Sequence, residues 1–205
     1  MKKLAFSVFA AALTFGANAE DSVEVSAAAA TETGSAFDGI YFGLGVAAVD
    51  NGVKCEGSLS GSDHNTRIAA TASLGYGRVV SEKAFLGLEA GLDASQNFEY
   101  GNNAKVNGLT PSAALRIGFV NPANRSMIYL KGGAAYSKGK LYSPEIRCNK
   151  WSPIVALGAE KICGKLRTRL EAEYRFRANK TVDTVKLINR GAVTVRAMAV
   201  YTVKM

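Results

Sequence analysis

Few side chains in this sequence are equipped for bond-making chemistry, and they are scattered. The one histidine, His64, follows Ser62 and Asp63 in the run Gly61-Ser62-Asp63-His64. Those are the residue types of a serine nucleophile, its base and an acid. A hydrolase needs them held rigidly at hydrogen-bond distance, and here they are consecutive in a stretch read as a surface loop. Glu171 and Glu173 invite a general acid/base reading. They stand at i and i+2 between Arg169 and Arg175, so charge pairing is the expectation. Cys55, Cys148 and Cys163 with a single histidine give no metal-ligand spacing. No catalytic, cofactor-binding or metal-binding residue is assigned, no cofactor is expected, and the chain reads as non-enzymatic.

The elements that would position any site are therefore the next question. The chain has 205 residues, a net charge of +8, 48% hydrophobic residues and 21 glycines. That apolar content excludes a disordered chain, and a basic balance alone would suggest nucleic acid or an anionic membrane surface. Residues 1–19 (MKKLAFSVFAAALTFGANA) join Lys2 and Lys3 to a short apolar run and an Ala17-Asn18-Ala19 cleavage site. This is the pattern of a signal peptide. Its removal takes two lysines and no acid, lowering the net charge to +6. Export makes nucleic acid an unexpected partner. Residues 20–36 are small, polar and without period, and are read as a flexible lead.

From residue 37 to 205 the apolar period is two, the mark of strands. Runs at 40–49, 66–77, 84–94, 107–120, 127–137, 151–162, 166–177 and 193–205 each set an apolar face against one rich in glycine and charge. In the seventh, Leu166, Thr168, Leu170, Ala172, Tyr174 and Phe176 oppose Arg167, Arg169, Glu171, Glu173, Arg175 and Arg177. Short connections near 78–83, 121–126 and 163–165 alternate with long ones near 50–65, 95–106, 138–150 and 179–190. The pattern predicts an all-β, eight-stranded antiparallel up-and-down transmembrane β-barrel with four surface loops. Pro111 and Pro153 are awkward, because each removes a ladder donor. Pro153 is expected at a strand start and Pro111 at a bulge or near the outer rim.

A soluble barrel turns its apolar face inward and a membrane barrel turns it outward. Aromatics at the ends of the apolar faces (Phe42, Tyr76, Phe119 and Tyr201 at one rim; Phe98, Tyr136, Trp151, Tyr174 and Phe176 at the other) fit two lipid-interface girdles. The opening Phe37-Asp-Gly-Ile-Tyr-Phe-Gly-Leu-Gly-Val46 and the eight strands resemble the small outer-membrane barrels of the opacity and OmpA/OmpX-like family. The ending Tyr201-Thr-Val203-Lys-Met205 is similar to the family's assembly signal, with Met205 in place of the usual Phe. The resemblance implies a Gram-negative outer-membrane location, insertion by the barrel-assembly machinery and loops displayed at the cell surface. With the termini on the short-turn side, the N-terminus is expected in the periplasm.

The inward face collects a charge network: Glu89, Asp93, Arg116, Lys131, Glu160, Arg167, Arg169, Glu171, Glu173, Arg175 and Arg196, with Arg67, Arg177 and Lys204 on the same face. Hairpin counting sets Glu160 opposite Arg167, Arg116 opposite Lys131 and Glu173 opposite Arg196. Eight strands leave so little room that these side chains are expected to plug the lumen. The alternative is a narrow, porin-like pore for small anionic solutes. Export permits a Cys55–Cys148 disulfide linking two loops; three free thiols is the other possibility. The third long loop carries Lys138, Lys140, Arg147 and Lys150 against Glu145, suited to lipopolysaccharide phosphates or sulfated glycans. The functional expectation is a structural or adhesin-like surface protein, monomeric, in contact with outer-membrane lipid and lipopolysaccharide, with host surface or matrix ligands as further candidates.

Overall fold

The computed structural model describes residues 36–56, 61–96, 98–100, 104–106, 108–121, 123, 125–142, 145–176, 178–182 and 185–203. The expected signal peptide, nearly all of the lead, and Met205 lie outside them. Eleven strands follow in order: β1 (Gly39–Glu56), β2 (Gly61–Val79), β3 (Ala84–Ser95), β4 (Phe98–Tyr100), β5 (Ala104–Val106), β6 (Leu109–Asn121), β7 (Ser126–Tyr142), β8 (Glu145–Cys163), β9 (Leu166–Arg175), β10 (Ala178–Val182) and β11 (Val185–Val203).

Eight of them form the wall. β1 pairs with β2, β2 with β3, β3 with β6, β6 with β7, β7 with β8, β8 with β9, β9 with β11, and β11 returns to β1. Every pair is antiparallel and the sheet closes. In hydrocarbon, closure is obligatory, because an open edge would leave N–H and C=O groups without partners. Following register partners around the wall from Arg67 through Val49, Thr194, Glu173, Ala156, Lys131, Arg116 and Gly87 returns to Gly77, ten residues along β2. A stagger of that size tilts the strands by about 40°.

The period-two pattern decides the two faces. Leu44, Ile68, Leu88, Ile117, Leu130 and Leu157 are exposed outside, whereas Tyr41, Glu89, Arg116, Tyr129, Glu160 and Arg169 are buried inside. Outside, aromatics pair at both rims. Phe42 lies 5.4 Å from Tyr201 near the short turns, and Tyr136 lies 5.2 Å from Trp151 near the long connections. Tyr174 and Phe176, 5.1 Å apart, join the second girdle.

The long connections differ from the sequence expectation. β1 and β2 keep pairing beyond the apolar alternation, from Asn51↔Asn65 to Cys55↔Gly61. β7 and β8 continue to Tyr142↔Glu145, and β10 forms a hairpin with the start of β11. The Gly61–His64 run therefore sits in a strand, where His64 pairs with Gly52, and not in an irregular loop. The cause is physical. Backbone pairing outlasts the lipid, but the alternating pattern exists only where one face meets hydrocarbon.

Of the two prolines, Pro111 lies where expected and Pro153 does not. Pro153 lies deep within β8, not at its start. Its carbonyl accepts from the Phe176 N–H at 2.9 Å, so its ring nitrogen faces β9, where pairing begins only at Ile154↔Arg175. The missing donor thus falls where that ladder ends. Pro111 is near the outer end of β6, just before pairing with β7 begins at Ser112↔Ala135.

Candidate functional site

Chemistry-bearing side chains converge in the barrel interior. Among the described residues, the buried charged ones are six cations, Arg116, Lys131, Arg167, Arg169, Arg175 and Arg196, and five carboxylates, Glu89, Asp93, Glu160, Glu171 and Glu173. These are the eleven residues singled out by the alternation. Arg67 is half-buried at the mouth; Arg177 and Lys204 lie outside the described residues.

Small inward positions make room for them. A Cβ on Gly75 would run into the Tyr41 ring, and one on Gly158 into the Tyr129 ring. Each tyrosine is the register partner of its glycine, Tyr41↔Gly75 and Tyr129↔Gly158. The rings lie flat across the wall and deliver their hydroxyls to the ion layer.

The network is layered. Nearest the short turns is an apolar floor of Phe37, Phe85, Val120, Met127 and the Tyr129 ring. Asp38 holds the chain entry there by accepting from the Val79 N–H at 2.6 Å. Above it, Glu160 takes Arg116 at 2.5 Å and Arg169 at 2.7 Å through one oxygen, and faces Arg167 at 3.0 Å with the other. The Arg116 guanidinium lies 3.8 Å from the Tyr129 ring centroid. Glu89 receives Arg169 at 2.6 Å, Arg116 at 3.4 Å and the Tyr41 hydroxyl at 3.1 Å.

Lys131 bridges upward, 2.5 Å from Glu171, 3.3 Å from Glu173 and 3.5 Å from Glu89. The Tyr129 hydroxyl donates to Glu171 at 2.7 Å. Arg196 closes the top. It donates to both oxygens of Asp93 at 3.1 and 2.6 Å, to both oxygens of Glu173 at 3.1 and 2.9 Å, and to Glu171 at 2.9 Å.

Hairpin counting holds for Arg116↔Lys131 and is two residues off elsewhere. Glu160 stands opposite Arg169, because the turn after β8 is the two-residue Gly164-Lys165, with Gly164 at φ 64°. Glu171, and not Glu173, stands opposite Arg196. Arg167 and Glu173 still reach their expected partners on the diagonal. Sequence reasoning missed the tyrosines and the role of Glu171 as a third acid for the Arg116–Lys131 pair. The tyrosine signal was a Tyr facing a Gly across the sheet, which is visible only once register is known.

The side chains of Cys55 and Cys148, and of Ser62, Asp63 and His64, lie outside the described residues. Their backbone registers are Cys55↔Gly61 and Cys148↔Gly139. Cys163 is exposed at the short-turn rim. In the ending, Tyr201 and Val203 face outward, at 40% and 47% exposure.

A closed wall, apolar outside and ion-paired inside, is the inverse of a soluble core and matches a barrel solvated by lipid. The family described as outer membrane protein beta-barrel domain matches residues 7–202. The chain belongs to this family. Its place is thus the outer membrane of a Gram-negative cell. Among solved structures, it is similar to Neisserial surface protein A (NspA), with a TM-score of 0.54 and 13% identity over 81% of this chain and 98% of that one. It is also similar to Ail, the attachment invasion locus protein of Yersinia pestis, with a TM-score of 0.49 and 15% identity over 80% and 99%. The outer membrane protease OmpT of Escherichia coli follows at 0.47 and 10% over 82% and 97%. At such identities the likeness is one of fold. No curated protein matches the chain by sequence.

Proposed function

We propose that this outer-membrane barrel is a non-enzymatic surface protein, structural or adhesin-like, whose lumen is plugged by its own side chains. One observation carries the reading: both oxygens of all five interior carboxylates are engaged by cations or tyrosine hydroxyls. Solute passage would require breaking these contacts. With transport closed off, what remains for such a barrel is to present its long connections. NspA, the fold neighbour, is named a surface protein.

In this reading the N-terminus is periplasmic and the chain is a monomer. The barrel-assembly machinery reads the ending Tyr201, Val203 and Met205. Lipid covers the outer face, with lipopolysaccharide at the long-connection rim. The β7–β8 hairpin, carrying Lys138, Lys140, Arg147 and Lys150, is the segment whose charge fits phosphate- or sulfate-bearing surfaces, host matrix included. Cutting this hairpin back to Ser137 and Trp151 should leave the barrel's heat-modifiable gel mobility intact and abolish binding to heparin-coated beads and host cells. Unchanged binding would count against the adhesin reading. The rival reading, a narrow anion pore, predicts current across a planar bilayer; the plugged barrel predicts none.

A further inference from the structure

We infer that the outer end of the lumen holds a small inorganic anion on Arg175. Among the described residues the buried interior has six cations and five carboxylates, and Arg175 is the cation with no carboxylate within ion-pair distance. Glu89, Glu160, Glu171, Glu173 and Asp93 spend both oxygens on Arg116, Arg169, Arg167, Lys131, Arg196 and the two tyrosine hydroxyls. Among the described residues, none of those carboxylates pairs with Arg175. Yet Arg175 is only 5% exposed. Its Nη1 donates to the Ser137 hydroxyl at 3.2 Å, and its Nε–H has no acceptor among the described residues.

Glu173 and Asp93 act on it only across a gap, each being held by Arg196, and a buried guanidinium with no counter-charge in contact is disfavoured. Arg175 ends β9, so this charge sits at the long-connection end, above the Arg196 layer. The wall beside it is small and hydroxylated. Arg175 pairs with Ala192 and Ile154, and the next inward residues on those strands are Thr194 and Ser152, both buried. A free guanidinium N–H with serine and threonine donors nearby is suited to chloride or a compact oxyanion such as sulfate. A bound chloride would balance the one surplus cation among the buried described residues. This site does not depend on whether the lumen conducts.

The test is chloride-35 NMR on the refolded barrel in detergent, titrated with chloride at constant ionic strength using gluconate. The folded wild type should broaden the chloride line beyond the heat-unfolded chain, and sulfate should compete the excess away. Arg175→Gln should lose the excess. Should that variant fail to fold, Arg175→Lys, which keeps the charge and loses the fork, should weaken it. The inference is overturned if folded and unfolded wild type broaden the line equally. It is also overturned if the folded Arg175 variant broadens it as much as the wild type does.

Discussion

Replacing Arg196 by alanine should cost the barrel about 3–5 kcal/mol of folding stability, the scale for removing one partner of a buried ion pair. Arg196 donates to both Asp93 oxygens, and it also holds Glu173 and Glu171. Glu171 and Glu173 keep Lys131 when it goes. Asp93 keeps no cation in contact, and it is 6% exposed. The loss should therefore be recovered in part by Asp93→Asn in the same chain, which removes the stranded charge. Urea unfolding in phospholipid vesicles reads this, followed through the single tryptophan, Trp151, which faces outward in the long-connection girdle. A loss below about 1 kcal/mol would mean that water reaches this layer and screens it.

The outer wall carries the second large effect. Val46 is 59% exposed, as an ordinary surface valine is, and it lies two outward positions above Phe42 of the short-turn girdle. On a water-soluble barrel, Val46→Arg would be nearly neutral, within about 0.5 kcal/mol. In a bilayer, an arginine near mid-depth on the lipid face should cost about 2–4 kcal/mol. The same substitution at Val80, which lies next to the short turn at Ser81–Lys83, should cost about 1 kcal/mol or less. The gradient between the two positions, measured by the same unfolding experiment, separates lipid from water as the barrel's surroundings. Equal effects at both depths would contradict the assignment.

How far the residues alone led depended on what each feature needed. The wall was legible because every strand crosses the membrane with one face in lipid, which forces alternation through Leu166–Phe176 and its counterparts. Which charges share the interior followed from the same alternation. Who pairs with whom did not, because pairing needs turn geometry. A two-residue turn at Gly164-Lys165 moves Arg169, and not Arg167, opposite Glu160. The hydroxyls of Tyr41 and Tyr129 were invisible for a related reason, since their reach rests on Gly75 and Gly158 across the sheet. The extended ends of β1, β2, β7 and β8 left no trace in the hydrophobic pattern, because backbone pairing outside the membrane demands no apolar face. That Arg175 lacks a carboxylate in contact likewise depends on register, which sets the partner of every carboxylate oxygen.

Single-channel recording tests most directly whether the ion-paired interior closes the barrel. Wild-type barrel, refolded and verified by its heat-modifiable mobility, is inserted into a planar bilayer at neutral pH in molar potassium chloride. The ion-paired lumen predicts a quiet baseline, with no stable conductance steps. Reproducible, long-lived steps that scale with salt concentration would contradict it and make the barrel a pore.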